Sequence, residues 1–143
     1  MIAPEGPMVN AALSVSDARR AALLTAGQTI PDFVPIRALL DTGASCTCVD
    51  PSVISALGLA PTGSISMVTP STGTTPHQAA EYDAALVIPA GGPGQPPLIF
   101  GTIGIVESHL FTAQGFYALI GRNVLAKCIF HYNGGTGLFT LAY

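Results

Sequence analysis

Apolar and polar residues alternate with a period of two over several short stretches of this chain, and glycine, proline, asparagine and serine separate the stretches. That period puts successive side chains on opposite faces of an extended backbone, so it predicts strands. The clearest case is FVPIRALL, where Val34, Ile36, Ala38 and Leu40 share one face and lead directly into Asp41-Thr42-Gly43-Ala44. Further strands are predicted over 8–15, 65–69, 82–88, 98–106 and 117–120. Near the carboxyl end, 128–132 and 138–143 flank Asn133-Gly134-Gly135, which is the turn chemistry of a closing β-hairpin.

Helical signals are shorter. Ser16 or Asp17 can cap an Ala-rich stretch that Gly27 stops, and Asp50 can cap a second helix over 51–57, with Pro51 at its first position and Gly58 just past its end. A third helical stretch follows Gly121-Arg122-Asn123 and runs through Lys127. Between the strands at 65–69 and 82–88 lies the polar segment PSTGTTPHQA, centred on Gly73, so the pair is expected to form a long hairpin with a polar tip. Residues 89–97 form a Gly/Pro connector, and 107–115 has no clear period. The class predicted is all-β, in a single domain over 1–143, with 1–32 as a looser amino-terminal segment.

Composition narrows the choices. At 143 residues the chain has room for one core, and its 16 glycines and 12 prolines suit many short strands. Only 9% of residues are charged, against roughly 25% in an average soluble domain, which argues against disorder. A net charge of -3 and five basic residues offer no patch for a run of phosphates, so no nucleic acid is expected. No stretch approaches the ~18 apolar residues of a membrane span, and the opening MIAPEGPMVN lacks the basic start and apolar run of a signal peptide. The expectation is a cytoplasmic protein with no membrane partner.

The three cysteines, Cys46, Cys48 and Cys128, have no metal-type spacing with the histidines and are expected to be reduced core residues. A reactive thiol at Cys46 or Cys48 is the competing reading. His77, His109 and His131 lie far apart and are expected to be unrelated surface or core residues. Gly91-Gly92-Pro93-Gly94 lacks the Lys and Ser/Thr of a phosphate loop. No metal and no cofactor are expected.

The remaining feature with chemistry in it is Asp41-Thr42-Gly43. Hydrolysing a peptide bond without a metal or covalent intermediate needs a base to activate water and an acid to polarise the carbonyl. Two carboxylates about 3 Å apart supply both, because they cannot both ionise. A threonine hydroxyl can brace such a loop, and a glycine lets a backbone N–H approach the carboxylate. Alone the tripeptide is ordinary turn chemistry. Here it follows an apolar strand (ALLDTGAS), precedes a capped helix and a polar hairpin, and is matched near the carboxyl end by ALIGRNVL.

With that order of features, roughly residues 33–143 resemble the retropepsin family of aspartic peptidases, in character closest to single-domain bacterial or cellular members. The resemblance implies a closed β fold with a flap hairpin and short helices, and Asp41 as the catalytic carboxylate. It implies Thr42, Gly43 and Ala44 as supports of the active-site loop, and substrate contacts from Gly43, Ser45 and the flap residues Thr72, Gly73 and Thr74. Leu119, Ile120 and Gly121 would form a strand crossing behind the loop, with Arg122 structural at the head of the last helix. Ser45 stands where several viral members carry an acidic partner for that arginine, so the sequence names no partner for Arg122. A single Asp-Thr-Gly in a chain this short implies a homodimer acting on a peptide or protein substrate. The alternative is a dimerisation or binding module of the same fold with little or no peptidase activity.

Overall fold

The computed structural model describes residues 1–68, 73–110 and 112–143. In chain order the elements are β1 (Met8–Val15), α1 (Asp17–Thr25), β2 (Val34–Leu40), β3 (Thr47–Val49), α2 (Pro51–Leu57), β4 (Gly63–Met67), β5 (His77–Ile88), β6 (Leu98–Glu107), β7 (Ala118–Ile120), α3 (Arg122–Leu125), β8 (Ile129–Asn133) and β9 (Leu138–Ala142).

Strands β1-β2-β7-β3-β6-β5 are hydrogen-bonded in that order, and β5 pairs back onto β1 through Ala12↔Val87 to Val15↔Ala84. Six strands therefore close into a barrel, and β4 extends from β5 as the other arm of a hairpin. Each of those six strands is thereby paired on both sides over part of its length, which limits exposed edges. Closure also explains the alternation: Ile36, Ala38 and Leu40 point into the barrel while Pro35 and Arg37 face out. Leu13, Leu86, Ile105, Ile120, Val49 and Val124 are among the fully buried side chains. Each of these stabilises the fold by about 1.5–3 kcal/mol relative to exposure.

Segment 1–32 supplies the strand that closes the barrel. β1 pairs with both β2 and β5, and Leu13, Ser14 and Val15 are buried. The helix signals translate directly. Ser16 accepts the Arg19 N–H at the start of α1, Asp50 accepts the Ser52 N–H at the start of α2, and Gly58 ends α2 in the left-handed region at φ 61°.

Three features differ from expectation. β3 has only three residues, all buried, so no polar partner marks its period. It is held between β6 (parallel) and β7 (antiparallel). β5 starts at His77 rather than 82, because Gly63–Met67 pairs with 77–81 and extends the ladder through His-Gln-Ala-Ala. The terminal hairpin β8–β9 forms its own two-stranded sheet. Its Phe130, Phe139 and Leu141 pack against the barrel core, with Phe139 edge-on to Phe130 at 6.2 Å. A single copy thus gives Phe139 and Leu141 a place to bury, while Tyr143, two residues beyond Leu141, stays exposed.

Candidate active site

Asp41 follows the last residue of β2, and the neighbouring strand β7 positions it. The Asp41 N–H donates to the Ile120 carbonyl at 3.0 Å, continuing the parallel β2–β7 ladder one residue into the loop. The loop then turns back. The Ala44 N–H donates to the Asp41 carbonyl, and the Gly43 N–H donates to Asp41 Oδ1 at 2.8 Å. A Cβ on Gly43 would stand 3.0 Å from that same oxygen, closer than most side-chain contacts, so glycine is what allows the amide to orient the carboxylate.

Arg122 finds backbone rather than an acid. Its Nη1 donates to the Thr42 carbonyl at 2.7 Å and its N–H to the Ala44 carbonyl at 2.9 Å, which ties the head of α3 to both sides of the loop. Before it, Gly121 has no room for a side chain: a Cβ would run into the Cys46 carbonyl. The Gly121 N–H donates to Thr47 Oγ1 at 3.3 Å, Thr47 donates to Asn123 Oδ1 at 2.9 Å, and Asn123 Nδ2 donates to the Gly104 carbonyl at 3.1 Å. This chain of bonds links β3, β7, α3 and β6 behind the loop. Thr47 was not legible as part of it, since its partners lie more than 70 residues away.

The loop borders a cleft of ≈ 800 Å³. Asp41, Gly43, Ala44 and Ser45 line it from the loop, Met67 and Val68 with His77 to Ala80 from the hairpin, and Leu119 from β7. Cys46, Cys48, Glu107, Ser108 and His109 also border it. Of the predicted substrate contacts, Gly43 and Ser45 therefore border the cleft. Gly73 and Thr74 are exposed at the hairpin tip, outside its lining, and Thr72 lies outside the described residues. Thr42 is exposed and presents its carbonyl to Arg122, and Ile120 is buried in the barrel core. His77 and His109, expected to be unrelated, come to the same cleft.

Electrostatics separate the neighbouring groups. Burial pushes the Cys48 thiol up to about 12, with Cys46 and the Asp41 carboxylate adding to the rise, so Cys48 is a thiol at neutral pH and not a nucleophile. Burial also opposes ionisation of Asp50. Its bonds from the Ser52 hydroxyl (2.7 Å), the Ser52 N–H (3.0 Å) and the Leu110 N–H (3.2 Å), with the charge of His109, outweigh that and hold the carboxyl below its ordinary value. Asp50 is thus an anchored anion that pins α2 to the loop carrying His109.

Residues 26–88, which contain β2, the Asp41 loop, α2 and the hairpin, match the profile of a family described as aspartyl protease. Among solved structures, the chain is similar to a retropepsin-like aspartic protease from Rickettsia conorii. That likeness has a TM-score of 0.58 at 20% identity and covers 99% of this chain and 86% of the other. The fold is retropepsin-like. No curated protein matches the sequence. In this retropepsin-like barrel the Asp-Thr-Gly loop falls within the matched family segment, and β7 with α3, beyond that segment, forms the support behind it.

Proposed function

We propose that the chain is one subunit of a homodimeric aspartic endopeptidase in which two copies of Asp41, one from each subunit, activate water for attack on a peptide bond. The observation that carries this is the Asp41 carboxylate, oriented by the Gly43 N–H at the edge of a cleft large enough for a peptide. Among the described residues, the other carboxylate bordering that cleft is Glu107, and it comes from the end of β6 rather than from a second such loop. A partner's Asp41 across a two-fold axis supplies the missing group without further sequence. One carboxylate takes a proton from water as the oxygen bonds to the carbonyl carbon, and the other gives its proton to the carbonyl oxygen. Collapse of that intermediate breaks the C–N bond and delivers a proton to the leaving amine. The three free cysteines suit a reducing compartment, and a cytoplasmic location belongs to the same proposal.

The test is cleavage of a peptide library by wild type and by Asp41→Asn, with sedimentation of both. Wild type should cleave and sediment as a dimer, while Asp41→Asn should dimerise and lose at least a thousandfold in rate, as expected when an essential acid–base group is removed. Equal cleavage by both proteins, or cleavage by a strict monomer, overturns the proposal.

A further inference from the structure

His77 and His109 enter the cleft from two different elements, and each is held in place. In the β4–β5 ladder His77 lies directly opposite Met67, and two residues on Ala79 lies opposite Ile65. Ala79, Ile65 and Met67 belong to the small apolar cluster with Cys48 and Val106, so the period of two puts His77 on that same cleft-facing side of the sheet. His109 is fixed by the residues around it. The Ser108 N–H donates to the Val49 carbonyl at 3.0 Å and the Leu110 N–H to Asp50 Oδ2 at 3.2 Å. Both imidazoles are exposed, and the charge of His109 also acts on the Asp50 carboxylate behind it.

Three carboxylates stand nearby. Glu107 borders the cleft from the end of β6, and its charge adds to the rise that burial gives the Tyr82 hydroxyl. Asp50 is committed to Ser52 and Leu110, and Asp41 to the Gly43 amide. Among the described residues, no lysine or arginine borders the cleft. Among the described residues, the side chains there that can donate N–H bonds to an anion are the two histidines, which carry positive charge when protonated, and the neutral amide of Gln78, whose Nε2 is already given to Ser66.

Resting on the peptidase reading above, we propose that His77 and His109 are specificity-determining residues that select peptides carrying a carboxylate side chain near the scissile bond. A carboxylate there receives charge-assisted bonds, whereas its amide isostere receives ordinary ones, roughly half as strong. Apolar anchoring comes from Met67, Val68 and Leu119 beside them.

The experiment pairs peptides that differ only by Glu against Gln at each position flanking the bond. Binding is measured to Asp41→Asn protein, and kcat/KM to the active protein, each with and without His77→Gln and His109→Gln. We expect the Glu peptide to be favoured by about tenfold at one or more positions in both assays. Either histidine substitution should reduce the ratio several-fold, and the double substitution should bring it near one, with cleavage of the Gln peptide as the internal reference. Cleavage without a Glu preference, or a preference that survives the double substitution, overturns this inference and leaves the peptidase reading intact. Glu-selective binding that depends on the histidines, with no cleavage by wild type, supports it while sinking the peptidase reading. Binding of neither peptide overturns it.

Discussion

At the scale of single residues, the positions that announce themselves are those whose partners are close in sequence. Asp50 could be read as a helix cap because Pro51 and Gly58 stand at the right offsets, and the structure gives it the Ser52 bonds expected of a cap. Its further bond from Leu110 was not legible, because that loop reaches it only through the β3–β6 pairing. The consequence is a pH-dependent brace. The folded carboxyl is held below its ordinary value, so ionised Asp50 contributes stability above the ordinary carboxylate range and loses it as pH falls through the folded value. Asp50→Ala should cost about 1–2 kcal/mol at pH 7, and the difference from wild type should shrink toward pH 3; urea unfolding at fixed protein concentration measures both. A gap that stays constant over that range would mean the carboxylate charge is irrelevant. Gly121 is a steric case: Gly121→Ala has no space beside the Cys46 carbonyl and should lower stability by about 1–3 kcal/mol, read from the thermal midpoint.

At the scale of elements, the Asp41 loop is held by what packs behind it. β3 and α3 are only three and four residues long, too short to stand alone, and the Gly121–Thr47–Asn123–Gly104 bonds join them to β7 and β6. Thr47 is almost wholly buried. Thr47→Val keeps its shape but leaves the Gly121 amide and the Asn123 oxygen without partners, so a loss of about 1–3 kcal/mol is expected. Peptide cleavage should fall more than the unfolded fraction explains, because the Arg122 tie to Thr42 and Ala44 starts from the same corner. Thr47→Ser, which restores the hydroxyl, should recover most of the activity; failure of that rescue would locate the effect in packing instead. The sequence showed a strand over 117–120 and, by resemblance, a crossing strand at Leu119, Ile120 and Gly121 with the helix after it, but β3 remained invisible because three consecutive buried residues carry no period.

At the scale of the whole molecule, the terminal hairpin divides its faces. Phe130, Phe139 and Leu141 turn to the barrel, while Ile129 (74% exposed) and Leu138 (53% exposed) lie on the opposite face. Truncating β9 would therefore damage the fold along with any interface. A sharper test of the proposed dimer is Ile129→Glu with Leu138→Glu, which leaves the inward face intact. Equilibrium sedimentation should show at least tenfold weaker dimerisation with unchanged secondary structure, since charges on an apolar contact face cost several kcal/mol to desolvate. Unaltered dimerisation would place the interface elsewhere. By itself the sequence determined the all-β class, the Asp50 cap, a first cap at Ser16 or Asp17, the terminal hairpin and the candidate carboxylate Asp41, because alternation, caps and turns act between residues a few positions apart. Only the tertiary structure decided that β1 closes the barrel, that Arg122 grips backbone carbonyls, and that His77, His109 and Asp41 share one cleft. Each of those depends on strand pairings across long stretches of chain, where register, not local preference, sets which side chains meet.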